Sequence, residues 1–442
     1  MDAALSYDDV DLLRKGFSAN PAYKLAQNAV TRVSVDDVAI DRELVNGADY
    51  SLSHVLDDWK VTNQARSGRC WLFAGLNLLR VGAARKMGVK DFELSQSHTM
   101  FWDKLERANY FLEAIIATAE RDPDDRGVSF LLDSVAADGG QWNMFVAIVA
   151  KHGLVPKAFM PETHSSSNTA RMNSVLRSVL RQGARTLRRL AGAPEVAASE
   201  KARIMSVVYR VLCIHLGTPP ERFLWQWTDK ERGFHRQGVM TPREFAAEYV
   251  ELPLDDYVCL VDDPRPSSPR GRTFTVEFLG NVVGAPPVTY LNVDMALLED
   301  TAARTIREAG EPVWFGCDVG KMMSNEYGLW DSRLYELDLV YDTAFELGKA
   351  DRLAYHESRM THAMLFTGVD MVDGRSRRWR VENSWGADKG RDGFYTMNET
   401  WFDDYVFEIA ARSQYVPADL RAALAGEAIV LPAWDPMGSL AA

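Results

Sequence analysis

The sequence predicts an α+β fold, and three observations carry that expectation. Runs with a helical period dominate before about residue 255. A polar Pro/Ser loop, "DDPRPSSPRGR" at residues 262–272, closes that stretch. Short β-branched and aromatic runs follow: "TFTVEFL", "PVTYLNV", "PVWFGCDV", "HAMLFTGVDMV", "RWRVENSW" and "GFYTM". Helices segregated from strands along the chain argue against a doubly wound parallel sheet, in which the two alternate.

The elements follow in order. Residues 1–60 mix short helical and extended patterns. "CWLFAGLNLLRVGAAR", residues 70–85, is apolar on nearly every side and reads as a buried helix with Ser67 as its N-cap. Residues 95–119 form a second long helical pattern. "ADGGQWNMFVAIVAKHGLV" places the paired glycines Gly139 and Gly140 in a loop ahead of a third helix. Residues 170–190 make a basic amphipathic helix whose apolar face is Met172, Leu176, Val179, Leu180, Leu187 and Leu190. Helix-like text then runs to about residue 250, broken at "GTPPER".

Composition narrows the class. At 442 residues the chain is too long for one small core, so two or three domains, or one with large insertions, are expected. No window approaches the ~18 apolar residues of a membrane span. The opening "MDAALSYDDVDLLRKGF" lacks the basic and apolar regions of a secretory signal, so none is expected, although a processed mature chain could look the same. A net charge of -12 disfavours broad nucleic-acid binding. The arginines at 171, 177, 181, 185, 188 and 189 therefore read as a solvated or intersubunit face. Cys213, Cys259 and Cys317 sit in apolar runs and read as core. No cysteine or histidine group has zinc spacing, and no metal or organic cofactor is implied.

Cys70 is different. It opens a helix, where unpaired N–H groups favour a thiolate. Gln64, six residues earlier, can offer a side-chain N–H to an oxyanion, with the Cys70 backbone N–H as a second donor. His362 stands before an apolar β-like run and can act as the base. Asn383, beside Trp385, can accept the imidazole N–H and hold its orientation. His356, the local rival to His362, lacks a following apolar strand. His98 reads as packing or surface.

Gln, Cys-Trp, His-Ala and Asn-Ser-Trp-Gly in this order resemble the papain superfamily of cysteine proteases. Two features depart from the common pattern. "SGRCW" lacks the extra cysteine of "CGSCW", and His362 follows Cys70 by 292 residues, against about 130–150 in papain-like enzymes. Both fit the bleomycin hydrolase/aminopeptidase C family. The chain resembles that family nearly end to end, through "WKVTNQARSGRCWLFAGLN", "DGGQWNMFVAIVAKHGLVPKAFMPET", "GEPVWFGCDVGK", "ESRMTHAMLFTGVD", "RVENSWG" and "LPAWDPMGSLAA".

The resemblance implies a papain-like cysteine protease fold with large helical and hook-like insertions, and a cytosolic aminopeptidase that assembles as a homohexameric ring. It implies four regions: 1–164, an N-terminal arm and the helical half with Cys70; 165–270, an inserted region for oligomerisation; 271–430, the β-rich half with His362 and Asn383; and 431–442, a tail in the active-site cleft. Gly139 and Gly140 would let a peptide backbone approach. The tail's last residues, Ala441 and Ala442, would face the substrate's N-terminus, with Ala442 open to trimming by Cys70. Peptides are the implied substrates, with bleomycin-like amides an extension. The other readings are a papain-like endopeptidase with an open cleft, and a nucleic-acid-binding or scaffold ring with incidental peptidase activity.

Overall fold

A computed structural model describes residues 4–56 and 59–441. Its first layer is helical. Cys70–Met87 and Gln96–Ala117 pack on each other and on Trp142–His152. Cys70–Met87 is buried on almost every side, as its uniformly apolar text requires, and ends at Gly88 in the left-handed region (φ +64). Gln96–Ala117 begins at Ser95, whose hydroxyl accepts from His98 N. The Ser67 expectation is corrected. The N-cap position is Arg69, which makes no side-chain cap bond, and the Ser67 hydroxyl instead donates to Gln64 O at 2.6 Å. Ser67 stands three residues ahead of the helix, too early to reach its first free N–H groups.

The second layer is a twelve-stranded mixed sheet. From edge to edge it runs Ile429–Leu431, Thr273–Val276, Tyr290–Asn292, Tyr257–Val261, Val406–Arg412, Val313–Cys317, His362–Val372, Arg375–Glu382, Phe394–Asn398, Leu329–Trp330 and Met323–Ser324. His54–Val55 pairs separately with His362–Val372. The six strands expected from sequence are all present, and the α+β reading holds. Tyr257–Val261, Val406–Arg412 and Ile429–Leu431 join them. A core behind the sheet holds Trp330, Trp379, Trp401, Phe366 and Phe402. Truncating one such ring to Ala costs about 3–5 kcal/mol, so the strands that carry the candidate base and its partner rest on a stiff floor.

Within the helical part, Ala170–Arg189 and Pro194–Leu216 pack on each other and on Gln96–Ala117. Met172, Leu176, Leu180 and Leu187 are buried, while Val179 and Leu190 are partly so. Helix-like text to residue 250 is the second correction. Phe223–Thr228 and Phe234–Met240 form an antiparallel hairpin, and a helix resumes only at Pro242–Tyr249. Trp225 and Phe223 seat one face of the hairpin on the helical core, a tertiary contact that decides between periods too short to distinguish locally. Cys259 and Cys317 are buried and Cys213 is half-buried, all as free thiols. No helix among the described residues is long and apolar enough to cross a membrane.

Candidate active site

Cys70 is the first residue of its helix and is fully buried where that helix meets the strand His362–Val372. Its thiol is pushed up to about 12 by burial, against the backbone N–H groups of Ala363, Trp71 and Cys70 itself. The helix start does favour the thiolate, as its position promised, but in this closed arrangement desolvation outweighs it.

Ala363 is the neighbour of His362, so the register of one strand brings base and thiol to the same place. His362 lies opposite Cys317 of the adjacent strand. Its ring Nε2 pairs with Asn383 Oδ1 at 2.9 Å. Trp385 covers the ring, with centroids 5.0 Å apart. Burial pushes the imidazole down to about 4, partly opposed by the Asn383 hydrogen bond. Both shifts have burial as their largest cause, which disfavours the charged form of each group.

Asn383 is positioned from two sides. Ser384 N donates to Asn383 Oδ1 at 2.7 Å. The preceding Glu382 accepts from Arg80 (2.9 Å) and Asn77 (2.8 Å), both on the Cys70 helix. That buried ionic tie links the strand end to the nucleophile's own helix across 302 residues of sequence. Gln64 Nε2 donates to Ser67 O at 2.6 Å, and its Oε1 accepts from Ser384 Oγ at 2.6 Å. Gln64, Cys70, His362 and Asn383 thus share one buried neighbourhood.

His356 does not join them: it is exposed, with a positive φ of 62°. His98 is buried in the Gln96–Ala117 helix, where it accepts from Trp102 Nε1 at 3.0 Å. Burial and the nearby His152 hold it down at about 3.

Gly139 and Gly140 lie beside the chain's own last residues. Gly140 N donates to Ala441 O at 3.1 Å in an antiparallel bridge. A side chain at Gly139 would meet Ala441 O at 2.6 Å, and one at Gly140 would meet the Trp71 ring at 2.5 Å. Glycine is required here by space. Upstream, Gln141 Nε2 donates to Ser439 O at 2.6 Å, and Ser439 Oγ to Met360 O at 2.9 Å. Arg126 lies 4.1 Å over the Trp434 ring. Arg265 clasps Asp435 through two nitrogens, at 3.1 and 2.8 Å. Ala442 falls outside the described residues.

Three contributors were not read from the sequence: Ser384, which donates to Gln64 Oε1; Asp138, which accepts from Gly68 N; and Arg69, paired with Glu162. Ser384 was hidden inside a motif read for its neighbours. A lone acidic residue before paired glycines, and an arginine next to a buried cysteine, were the available signals. Both mark charges that must find partners.

Three comparisons bear on this geometry. The family model described as Peptidase C1-like family matches residues 4–438. Bleomycin hydrolase of Rattus norvegicus is 42% identical, with 100% of each chain covered, and aminopeptidase C of Listeria innocua is 40% identical, again with 100% of each covered. The crystal structure of PepW from Lactobacillus rhamnosis HN001 superposes with a TM-score of 0.97 over 100% of both chains, at 40% identity.

Proposed function

The chain belongs to the Peptidase C1-like family, and from that premise we propose that it is a cytosolic cysteine aminopeptidase working through Cys70, His362, Asn383 and Gln64. The observation that carries the reading is one strand end. Ala363 N–H faces the Cys70 thiol, while the adjacent His362 ring is bonded to Asn383.

With Nε2–H donating to Asn383 Oδ1, His362 keeps Nδ1 for proton exchange. Cys70 Sγ attacks the first peptide carbonyl as its proton passes to His362. That proton then goes to the leaving amine as the C–N bond breaks, leaving a thioester. Water cleaves the thioester, giving a proton to His362 and restoring the thiol. Charge develops on the carbonyl oxygen as the tetrahedral centre forms, which rewards oxyanion donors that are already fixed. Gln64 spends one of its two amide hydrogens on Ser67 O. The second, with the Cys70 backbone N–H, is the donor pair.

The tail supports exopeptidase rather than open-cleft endopeptidase action. Its Ala441 carbonyl takes the Gly140 N–H that an extended substrate would use. A carboxylate at Ala441, exposed after loss of Ala442, would meet a substrate's ammonium group. Arg181 and Arg188 donate to the carbonyls of Leu132 and Thr118, which favours a structural role for them over nucleic-acid binding.

A homohexameric ring is part of the same proposal. The helix Tyr7–Ala19 leaves Tyr7, Leu12, Leu13 and Phe17 exposed and buries none of its residues. Light scattering should then give about six times the 49.6 kDa chain mass; a monomer at micromolar concentration refutes the ring. The activity itself is tested with free and N-acetylated aminoacyl amides on wild type and Cys70→Ala. Free amides should turn over, acetylated ones should not, and Cys70→Ala should do neither. Activity retained without the thiol refutes the mechanism.

A further inference from the structure

The turn before Cys70 carries no disulfide, since all four cysteines are free, yet a nucleophile must be held to fractions of an ångström. One residue meets that need. Asp138 Oδ2 accepts from Gly68 N at 3.2 Å, two residues before Cys70. The Asp138 carbonyl accepts from Trp71 Nε1 at 2.8 Å, one residue after it. The nucleophile is thus bracketed by two bonds to a single residue. Gly139 and Gly140 follow Asp138 directly, so the strand that would bind a peptide is held by the same anchor.

Three groups from elsewhere fix the carboxylate. Lys104 Nζ lies 2.6 Å from Oδ1. That fully buried ammonium also donates to the carbonyls of Ala136 (3.0 Å) and Ala137 (2.7 Å), which satisfies all three of its hydrogens. Asn173 Nδ2 donates to Oδ1 at 2.7 Å, and Thr169 Oγ1 donates to Oδ2. Burial alone would raise the Asp138 carboxyl, but Lys104, Thr169 and Asn173 hold it well below the usual range, so it stays ionised. Thr169 and Asn173 belong to the start of the inserted Ala170–Arg189 helix. There the main chain is also stitched to the turn, with Arg66 N donating to Ser167 O at 2.9 Å. Thr169 sits at the cap of that helix and makes no side-chain cap bond, so its buried hydroxyl serves Asp138.

We propose that Asp138 is a positioning residue for the Cys70 thiol and the glycine strand, and that through Thr169 and Asn173 the inserted helical segment is part of the catalytic apparatus. The inference rests on the reading of Cys70 as nucleophile. A misplacement of about 1 Å costs on the order of 10²-fold in rate, and loss of one of several restraints should cost less.

The test uses the full-length chain as Asp138→Asn, Thr169→Val and Asn173→Ala, with active sites counted by stoichiometric iodoacetamide labelling of Cys70. Turnover per labelled site, KM and thermal midpoint are measured together. Asn at 138 keeps the shape but sets an NH2 against a donor, so kcat per site should fall about 10-fold or more, on the order of what misplacement predicts. Thr169→Val and Asn173→Ala touch neither Gly68 nor Trp71, and each should lower kcat per site about 3-fold with KM within about 2-fold of wild type. A merely structural role would lower the thermal midpoint or the number of labelled sites and leave kcat per site unchanged. That result in Thr169→Val and Asn173→Ala overturns the proposal, even if Asp138→Asn does not fold. Labelling that leaves wild-type turnover intact overturns the nucleophile assignment, and this inference with it.

Discussion

Two segments flank the loop of Asp138, Gly139 and Gly140, and they are held by different physics. The turn from Gln64 to Cys70 is fastened by buried charge. Arg69, 1% exposed, pairs with Glu162 through two nitrogens at 3.0 and 2.8 Å, and Gly68 hangs on Asp138. Breaking one partner of a buried pair costs about 3–5 kcal/mol. The tail from Ile429 to Ala441 is fastened by a short parallel strand pair, one clasp at Asp435, one ring contact at Trp434 and a main-chain bond to Gly140. Ala441 itself is held by a main-chain bond, of a kind an extended peptide also makes, and Ser439 by one bond from Gln141 and one to Met360. The turn rests on buried charge, and the end of the tail on hydrogen bonds to main-chain groups.

The sharpest way to break this contrast is at the base, where nothing can substitute. His362→Ala should lower kcat/KM by ~10²–10⁴-fold, because proton transfer is lost. Asn383→Ala loses only the orienting bond and should cost about 10-fold, within the range of one hydrogen bond to a group that becomes charged. Equal losses in the two variants would show that Asn383 does more than orient. A dead His356→Ala beside an active His362→Ala would show that the exposed histidine is the base.

At the tail the expected change is one of kind. Deleting residues 438–442 removes the Ala441 pairing and the Ser439 contacts but keeps the Asp435 clasp. Cleavage of N-acetylated aminoacyl amides should rise about 10-fold while cleavage of free ones falls, since a charged anchor is worth on the order of 1.5–3 kcal/mol. Unchanged strict selectivity would mean that the cleft walls, and not the tail, choose the substrate.

The smallest effect concerns what lies beneath the tail. Glu408 is buried and, with Gln141, Met360, Pro436 and Met437, lines a small cavity under the tail. Burial pushes its carboxyl from 4.5 up to about 8, slightly opposed by a hydrogen bond with Cys259. The fold therefore keeps a proton that the unfolded chain gives up near 4.5. Stability falls as pH rises from there and is lost through about 8. Glu408→Gln should flatten this dependence and raise the thermal midpoint at pH 8.5 by about 1–3 °C. A midpoint with the same pH slope in both proteins would mean that Glu408 does not titrate in this range.

Much of the site was legible because its parts are local. Cys70 at a helix start, His362 heading an apolar strand and Asn383 at a strand end are each read from a few neighbouring residues. The period of the surrounding text says what they open or close. The hairpin at 223–240 was not legible. Its strands are short and partly polar, and only the seat of Trp225 against the helical core favours extended backbone there.

By itself the sequence determined which chemical groups are present, the helix-then-strand order and the family resemblance, from which a mechanism through Gln64, Cys70, His362 and Asn383 is proposed. Tertiary structure alone decided how those groups are tuned and held. Ser67 closes a turn instead of capping a helix, because the helix starts three residues later. Burial against a strand nearly 300 residues away pushes the Cys70 thiol up to about 12. Asp138 meets Gly68 across 70 residues and Thr169 across 31. Hydrogen bonds and desolvation act over a few ångströms of space, and separation along the chain does not predict that distance until the fold has closed.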